Sequence, residues 1–162
     1  LIGIESVVGL DPSARSLEMA RSRYGNQRIR FLRFEDYAPC EDMDLAYCNG
    51  VFHHIAVADR GRAAKYVFHS LRPGGLFALW ENNPWNVGTR WVMSHCPFDH
   101  DAVTLTPPEA VGLMRAAGFQ VLYTNFFFIF PRFLNFLRFL EPGFSRFPFG
   151  AQYMVLSRRP IP

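Results

Sequence analysis

Short apolar segments that end in polar residues alternate with segments of helical periodicity along the first half of this chain. The apolar segments precede Asp11, Glu35, Asn49 and Glu81, and helical patterns cover residues 12–24 and 59–71. Strands that alternate with helices indicate a parallel sheet with helices on both faces. We therefore predict an α/β fold, in which residues 44–49 are apolar enough to form a central strand.

The second half is less regular and ends differently. Thr106 is followed by two prolines and Glu109, which predicts a helix with a threonine N-cap that Gly118 closes. Residues 119–130 and 151–156 read as strands, with a helix predicted over residues 132–140 between them. Two terminal strands of this kind predict an antiparallel hairpin added to the parallel sheet. The absence of internal repeats and linkers predicts one domain over residues 1–162.

Composition excludes several classes of protein. Of the 162 residues, 49% are apolar and 19% charged, which excludes wholesale disorder. The net charge of +3 comes mostly from dispersed arginines, so we expect no nucleic-acid partner. Three cysteines without a C-x-x-C pair indicate a reducing compartment, and with no visible signal peptide we predict a cytoplasmic location. No apolar run reaches the ~20 residues of a membrane span.

The ends of the predicted parallel strands define where a ligand should bind. In open parallel sheets, ligands bind beyond the carboxyl ends of the strands. Asp11 follows the first strand of this chain, and a carboxylate there can accept two hydrogen bonds from a ribose diol. The same residue type is also a good N-cap for the helix that follows. Spacing alone leaves both interpretations of Asp11 open.

Three motifs in a fixed order carry a more specific resemblance. They are Val7-Val-Gly-Leu-Asp-Pro-Ser, Asn49-Gly-Val-Phe-His-His and Leu71-Arg-Pro-Gly-Gly. Over about residues 5–81, this order resembles the class I S-adenosylmethionine-dependent methyltransferases, in the group that acts on small molecules. The resemblance implies a Rossmann-like sheet, S-adenosylmethionine as cofactor and a small-molecule acceptor. It divides the chain into a cofactor-side half, residues 1–81, and an acceptor-side half, residues 82–162.

The resemblance also implies which residues bind the cofactor. Asp11, with Pro12 beside it, would hold the ribose hydroxyls. Either Glu35 or Asp36 would face the adenine amino group. Asn49 and Gly50 would line the methionine end.

One part of the family pattern is missing from this sequence. The family has a first strand followed by a Gly-x-Gly-x-Gly loop, and no such loop occurs here. In the family sheet order, 3-2-1-4-5-7-6, that strand is central, so its loss would leave a gap of ~9–10 Å in the sheet. Two buried strand edges with unpaired backbone groups are costly. We therefore expect an excerpt of a longer protein, or an abnormally closed sheet, and poor cofactor binding by residues 1–162 alone.

Methyl transfer from a sulfonium needs an aligned acceptor, and a base only when the acceptor holds its proton at neutral pH. His53 and His54 follow the third strand, where the methyl group would emerge. We predict that His54 is the catalytic residue, as a base or as a group that positions the acceptor. The alternative is structural, with one histidine in the core and the other capping the next helix.

Other chemistries have weaker support. Residues 95–101 contain two histidines, a cysteine and two aspartates, but their spacing matches no familiar zinc pattern, so we predict a polar loop and no metal site. A nicotinamide-dependent oxidoreductase is an alternative within the same fold class, although the sequence contains no Tyr-x-x-x-Lys. A non-catalytic binding protein that retains the fold is the alternative from another class.

Ten of the 17 phenylalanines lie between Phe126 and Phe149. Terminal strands and a covering helix would bury most of them. Alternatively, the segment of residues 132–140, with its two arginines, would cover a hydrophobic acceptor or rest on a membrane surface. The sequence leaves both interpretations open, and the oligomeric state is not predicted.

Overall fold

The computed structural model describes residues 3–162, and the chain divides into two compact units, one ending at Pro39 and one spanning Cys40–Pro162. The strands are β1 (Val7–Leu10), β2 (Ile29–Leu32), β3 (Met43–Asn49), β4 (Leu71–Asn82), β5 (Gln120–Phe127) and β6 (Gln152–Arg158). The helices are α1 (Ala14–Tyr24), α2 (Arg60–Ser70), α3 (Val87–His95), α4 (Pro107–Ala116) and α5 (Glu141–Phe144). Short 3-10 segments cover Phe34–Asp36, Phe52–His54, Val57–Asp59, Pro97–Asp99 and Arg132–Leu140. The single domain with a division after residue 81 stays a prediction.

The first unit is a β–α–β segment. β1 and β2 pair in parallel, from Val7 opposite Ile29 to Leu10 opposite Leu32. The predicted helix over residues 12–24 begins at Ala14, because the Ser13 side chain caps it by accepting from the N–H of Ser16. Leu17 is the buried residue of this helix.

The second unit contains a four-stranded sheet in the order β3-β4-β6-β5. β3 and β4 are parallel, whereas β6 is antiparallel to both β4 and β5. This arrangement confirms the predicted terminal hairpin. In the family order, β2 and β1 correspond to strands 3 and 2, and the second sheet, β3-β4-β6-β5, corresponds to strands 4-5-7-6. Among residues 3–162, strand 1 of the family order has no counterpart.

The Arg-Pro-Gly-Gly turn lies inside the bounds of β4 as a bulge. The pairing of β3 with β4 passes from Met43–Leu71 directly to Leu45–Leu76, so four residues of β4 oppose one of β3. Gly74 lies in the left-handed region at φ 83°, which favours glycine. The bulge restores the register in which Asn49 lies opposite Trp80.

The core of the second unit lies between its sheet and the helices α2 and α4. Its buried residues are Phe52, Ala64, Leu71, Phe77, Leu79, Leu105, Ala110, Met114, Ala117, Phe119, Phe126, Tyr153 and Val155. The predicted cap of α4 is confirmed, since Thr106 and Glu109 form a reciprocal capping box. Gly118, at φ 104°, follows this helix as predicted.

The prediction of a central position for residues 44–49 is wrong for the described residues, in which β3 is an edge strand. Ala46 and Cys48 pack against the core, whereas Leu45 and Tyr47 on the opposite face are 57% and 62% exposed. No strand of residues 3–162 pairs with the outer edge of β3 or with the outer edge of β1. The two free edges are those that the resemblance assigns to the neighbours of the missing strand.

The phenylalanine-rich segment is mostly exposed, so the expectation of core burial is wrong for most of it. Phe126 is buried, but seven of the ten rings are exposed: Phe128, Phe133, Phe136, Phe139, Phe144, Phe147 and Phe149. The predicted helix over residues 132–140 is a 3-10 segment interrupted at Leu134, which has non-helical dihedral angles. Positions three apart align on a 3-10 helix, which matches the exposure of Phe133, Phe136 and Phe139.

Within residues 3–162, no helix combines the length and the apolar character needed to cross a membrane.

Candidate active site

Asp11 lies directly after β1, where its backbone N–H donates to the Leu32 carbonyl. Its Oδ1 accepts the N–H of Ser13 at 2.7 Å, a local turn that leads into α1. The N-cap of α1 is Ser13, so the alternative interpretation of Asp11 as the N-cap is wrong. Among the described residues, Asp11 Oδ2 has no hydrogen-bond partner, and Pro12 beside it is exposed.

The two candidates for the adenine contact differ in what their carboxylates already bind. Both lie in the 3-10 segment after β2 and are exposed. Glu35 pairs with the Arg33 guanidinium through both oxygens, at 3.1 and 3.3 Å. The Asp36 carboxylate makes no hydrogen bond or ion pair with another side chain within residues 3–162. Asp36 is therefore the more available of the two.

Asn49 and Gly50 end β3 and begin the loop that carries the histidines. The Gly50 N–H donates to the Trp80 carbonyl at 2.9 Å, which extends the pairing of β3 with β4 by one residue. Gly50 then turns the chain at φ 64°, in the left-handed region. The Asn49 side chain is exposed and has no hydrogen-bond partner in the described part of the chain.

The histidine pair divides into one buried and one exposed ring. His53 is 3% exposed, and its Nδ1 donates to Glu81 Oε2 at 2.5 Å. The other oxygen of Glu81 accepts the Phe52 N–H at 2.8 Å. His54 is 43% exposed, and its ring lies 4.2 Å from that of His53. One half of the structural alternative, a histidine in the core, applies to His53. The other half does not apply to His54, because the N-cap position of α2 is Asp59.

Asp99 completes this cluster from a distant part of the sequence. Its Oδ1 lies 3.5 Å from Nε2 of His53 and 3.5 Å from Nε2 of His54. The Asp99 side chain is 15% exposed. The cluster therefore extends from a buried carboxylate, Glu81, through His53 to a partly exposed face formed by Asp99 and His54.

Hydrogen bonds to backbone carbonyls connect the two loops of the cluster, residues 52–55 and residues 99–103. The Val103 N–H donates to the His53 carbonyl at 2.9 Å. The buried Arg60 guanidinium donates to the Ile55 carbonyl at 3.1 Å and also to the Val103 carbonyl. Because Arg60 contacts both loops, it fixes the position of residues 52–55 against residues 99–103.

The negative charges near His53 and its burial have opposite effects on its pKa. Burial alone lowers the pKa of a histidine, since it disfavours the imidazolium. The hydrogen bond to the Glu81 carboxylate, together with the charges of Glu81 and Asp99, outweighs this effect and raises the pKa of His53. The same low-dielectric surroundings raise the pKa of Cys48 to about 12, with Glu81 contributing further.

An open groove of about 920 Å³ borders the cluster within the second unit. It lies along α3 and the loop that follows, and Trp91, Arg90 and Asp99 are among the residues that line it. Trp91 is 64% exposed, and its ring lies 4.8 Å from that of His95. Asp99 therefore contacts both the histidine pair and the groove.

The polar residues after β4 have mainly structural roles. Glu81 is fully buried. Asn83 is also fully buried and donates to the Pro148 and Gly150 carbonyls. Asn86 is the N-cap of α3. Trp85 is the exposed aromatic residue of this segment.

Sequence reasoning missed the roles of Glu81 and Asp99 in the cluster. Glu81 was recognisable as an acid at the end of a buried strand. Its position follows from alternation, because Phe77, Leu79 and Glu81 lie on the same face of β4. Asp99 lies within residues 95–101, whose spacing matches no familiar zinc pattern, and nothing in the sequence links it to His54, which lies 45 residues earlier.

The comparisons with known proteins agree with the resemblance in the sequence. A family model described as a methyltransferase domain matches residues 2–79, a range that contains all six predicted cofactor-binding residues and both histidines. A comparison with curated protein sequences found no match.

Several solved structures have the same fold. An S-adenosylmethionine-dependent methyltransferase from Mesorhizobium loti is 19% identical, with a TM-score of 0.69 over 96% of this chain and 81% of that chain. A protein assigned as a methyltransferase, solved with the Trm112 methyltransferase activator of Haloferax volcanii, is 22% identical, with a TM-score of 0.69 over 98% and 73%. The [4+2]-cyclase SpnF is 15% identical, with a TM-score of 0.68 over 97% and 67%.

The structural comparisons identify the fold, and together with the family match they indicate the cofactor. At these identities, structural similarity establishes the fold, and SpnF illustrates that a fold alone does not define a reaction. The family match adds sequence evidence over the part of the chain that carries the strand-end motifs. S-adenosylmethionine is accordingly the expected cofactor. Residues 2–79 belong to the methyltransferase-domain family, and the chain as a whole has the fold of the S-adenosylmethionine-dependent methyltransferases.

Proposed function

We propose that this protein catalyses S-adenosylmethionine-dependent methyl transfer to a small-molecule acceptor. The observation that carries the proposal is the family match over residues 2–79, and the resemblance in the sequence implies cofactor-binding roles for Asp11, Asn49 and Gly50 within this range. Bound S-adenosylmethionine supplies an activated methyl group. The protein then has to bind the two molecules, orient the acceptor and exclude water.

The side chains proposed to bind the cofactor fit this role. Asp11 retains one uncommitted carboxylate oxygen for a ribose hydroxyl, with Pro12 exposed beside it. Asp36 is preferred over Glu35 for the adenine amino group, since Arg33 occupies both oxygens of Glu35. Asn49 offers an exposed amide, and Gly50 beside it, which is partly buried, has no side chain.

His54 is proposed to contact the acceptor. Its ring is 43% exposed at the rim of a cluster whose Asp99 also lines the groove. An acceptor bound in the groove is held against the aromatic surface of Trp91 and reaches His54 at the Asp99 end. His54 orients the acceptor or takes its proton. The buried His53 stabilises the segment Phe52–His54 through its hydrogen bond to Glu81.

Cofactor binding is the decisive test of this function. The protein is tested as its gene encodes it, together with any residues before Leu1. We expect this protein to bind labelled S-adenosylmethionine saturably and not to bind NADH. Asp11→Asn removes a charged acceptor and should weaken binding by about 10- to 100-fold. Glu18→Gln, on the exposed face of α1, is the matched control and should leave binding unchanged.

Two results would count against the proposal. Binding of NADH in place of S-adenosylmethionine would favour the oxidoreductase alternative. Absence of both would favour a binding protein without catalysis. Micromolar binding of S-adenosylmethionine by residues 1–162 alone would support the function but contradict the separate expectation that these residues by themselves bind the cofactor poorly.

The exposed phenylalanines support a hydrophobic environment for the reaction. The segment of residues 128–149 exposes seven rings together with Arg132, Arg138 and Arg146, and Glu141 is its only acid. The Glu141 carboxylate is half-buried and accepts the Phe130 N–H. An apolar surface of net positive charge complements an anionic membrane surface, where each arginine contributes about 1 kcal/mol. The segment is proposed to rest on such a surface and give access to a lipid-like acceptor.

Vesicle binding tests this surface. We expect the protein to sediment with vesicles that contain phosphatidylserine and less with phosphatidylcholine vesicles. The triple substitution Phe133→Ala, Phe136→Ala and Phe139→Ala should abolish sedimentation. Phe98→Ala removes a ring that is 87% exposed elsewhere and serves as the control. Equal sedimentation of the triple variant and the unaltered protein would exclude this surface as the membrane contact.

A further inference from the structure

Three metal-ligating atoms from two separate loops converge in the second unit. They are Nε2 of His53, Oδ1 of Asp99 and a ring nitrogen of His54, and they lie within 4.8 Å of one another. The histidines belong to the 3-10 segment after β3, and Asp99 ends the 3-10 segment after α3. The convergence is therefore a product of the tertiary structure.

Two of the three separations within this cluster match those around a bound ion better than those of direct hydrogen bonds, whereas the nitrogens of the two histidines lie up to 4.8 Å apart. Asp99 Oδ1 lies 3.5 Å from each histidine Nε2, beyond the usual range of about 2.7–3.2 Å for a hydrogen bond to nitrogen. Two ligands each about 2.1 Å from a tetrahedral zinc ion lie roughly 3.4 Å apart. A rotation of the half-exposed His54 side chain would have to bring its ring nitrogen closer to that of His53 for the three atoms to share one ion.

The surroundings of His53 have the arrangement that supports a ligating histidine. Its Nδ1 donates to Glu81 at 2.5 Å, so Nε2 is the nitrogen available towards Asp99 and His54. A histidine that ligates a metal usually donates its other ring N–H to a carboxylate or carbonyl, which fixes the ring orientation. Glu81 is itself held by the Phe52 N–H and is fully buried. The cluster therefore has both a ligand set and a supporting carboxylate.

We propose that His53, His54 and Asp99 bind a divalent transition-metal ion of the zinc type. Two imidazoles and one carboxylate suit such an ion, whereas Mg²⁺ and Ca²⁺ prefer ligand sets made of oxygen. Three protein ligands leave a fourth position open, as in catalytic zinc sites. Asp99 also lines the groove along α3, so the open position is accessible to an oxygen atom of a molecule bound there.

This site goes beyond the proposed methyl transfer and does not depend on it. If both hold, His54 contacts the acceptor through the ion, and the acceptor has a hydroxyl or carboxylate oxygen. A coordinated hydroxyl loses its proton to solvent more readily than a free one, because the ion stabilises the oxyanion. The arrangement would therefore suit acceptors that are methylated at oxygen.

Metal binding is measured with Zn²⁺ alone on the 162-residue chain, by equilibrium dialysis with metal analysis and by calorimetry. We expect one Zn²⁺ per chain with at least micromolar affinity and no displacement by millimolar Mg²⁺. Replacement of Zn²⁺ by Co²⁺ should produce visible absorption bands of a four-coordinate site. Two or more weak sites, or the absence of binding, would overturn the proposal.

Substitutions assign the ligands. Asp99→Asn and His54→Ala, both at partly exposed positions, should each weaken Zn²⁺ binding at least tenfold and abolish the Co²⁺ bands. Glu81→Gln should weaken it by about 10- to 100-fold through His53. His69→Ala and Cys96→Ser are controls, since these groups are outside the cluster, and should retain full affinity. Loss of affinity in the controls, or retention in Asp99→Asn, would show adventitious binding to other side chains.

The two proposals fail separately. Zn²⁺ binding is measured without nucleotide, and S-adenosylmethionine binding is measured after removal of metal with a chelator. If Zn²⁺ does not bind but the cofactor does, the cluster is an ion pair within a methyltransferase. If Zn²⁺ binds but the cofactor does not, the metal site stands and the methyltransferase assignment falls.

Discussion

His53 and Glu81 form a buried pair, with Nδ1 of the histidine 2.5 Å from Oε2 of the glutamate and neither side chain more than 3% exposed. Glu81 follows Phe77 and Leu79 on the core face of β4, so strand alternation directs its carboxylate inward. Its second oxygen accepts the Phe52 N–H, which ties the loop after β3 to the end of β4. One carboxylate therefore satisfies two buried donors and positions the histidine loop.

Removal of this carboxylate should be strongly destabilising. Glu81→Ala leaves the Phe52 N–H and the His53 ring without their acceptor in the core, and loss of one partner of a buried pair costs about 3–5 kcal/mol. Urea unfolding followed by circular dichroism measures the loss. Asp42→Ala, at an exposed position, is the control and should change the free energy of unfolding by less than about 0.5 kcal/mol. A loss below about 1 kcal/mol in Glu81→Ala would contradict the structural role of the pair.

Two glycines provide a matched pair of alanine substitutions with opposite effects. Gly50→Ala places a side chain at φ 64° and should cost about 1–2 kcal/mol, although its Cβ would meet only the His53 ring at an ordinary 3.5 Å. Gly61→Ala lies in α2, where a Cβ meets nothing within 4 Å, and should stabilise by about 0.5–1 kcal/mol. Thermal unfolding of the two variants compares them directly. Stabilisation by Gly50→Ala would show that the turn after β3 is not in the left-handed conformation.

The capping box of α4 predicts a pH-dependent contribution to stability. Hydrogen bonds from the Thr106 hydroxyl and backbone N–H lower the pKa of Glu109. A lowered folded-state pKa gives stability that is present above the unfolded value, about 4.3, and is lost as the pH falls through the folded value. Glu109→Ala should therefore cost about 0.5–1 kcal/mol at pH 7 and progressively less as the pH falls below about 4. Urea unfolding of both proteins across this range measures the difference, and a constant difference would contradict the prediction.

The cysteines should differ sharply in reactivity. Burial, with the charge of Glu81, raises the pKa of Cys48 to about 12, so almost none of its thiol is ionised at pH 8. The thiolate is the reactive form, and Cys40 is exposed. Iodoacetamide at pH 8 should therefore modify Cys40 first and Cys48 only after unfolding, as measured by mass spectrometry of peptides over time. Equal rates in the folded protein would place Cys48 in a more polar environment than the structure gives it.

Local patterns predicted those elements that are stabilised locally. Short apolar segments that end in a polar residue located the strands before Asp11 and Asn49. The Thr106–Glu109 spacing identified the cap of α4, because a capping box closes within four residues. The hairpin of β5 and β6 was predictable from two apolar segments at the end of an α/β pattern.

Other features depended on contacts between distant segments. Periodicity predicted a helix over residues 132–140, but the segment forms 3-10 turns that expose Phe133, Phe136 and Phe139. Apolar composition alone cannot distinguish a buried phenylalanine from an exposed one, since burial depends on which element covers it. The edge position of β3 likewise depends on which strands are available to pair with it.

The sequence by itself determined the order of strands and helices, the residues at the strand ends and the family of residues 2–79. Only the tertiary structure brought Asp99 to His53 and His54, and only it placed the Glu81 carboxylate beneath His53. The reason is physical: hydrogen bonds within a turn or a helix depend on neighbours along the chain. A cluster of charged groups from two loops and the end of β4 forms only when the packing of the core fixes those segments, and Arg60 contributes by binding the carbonyls of Ile55 and Val103.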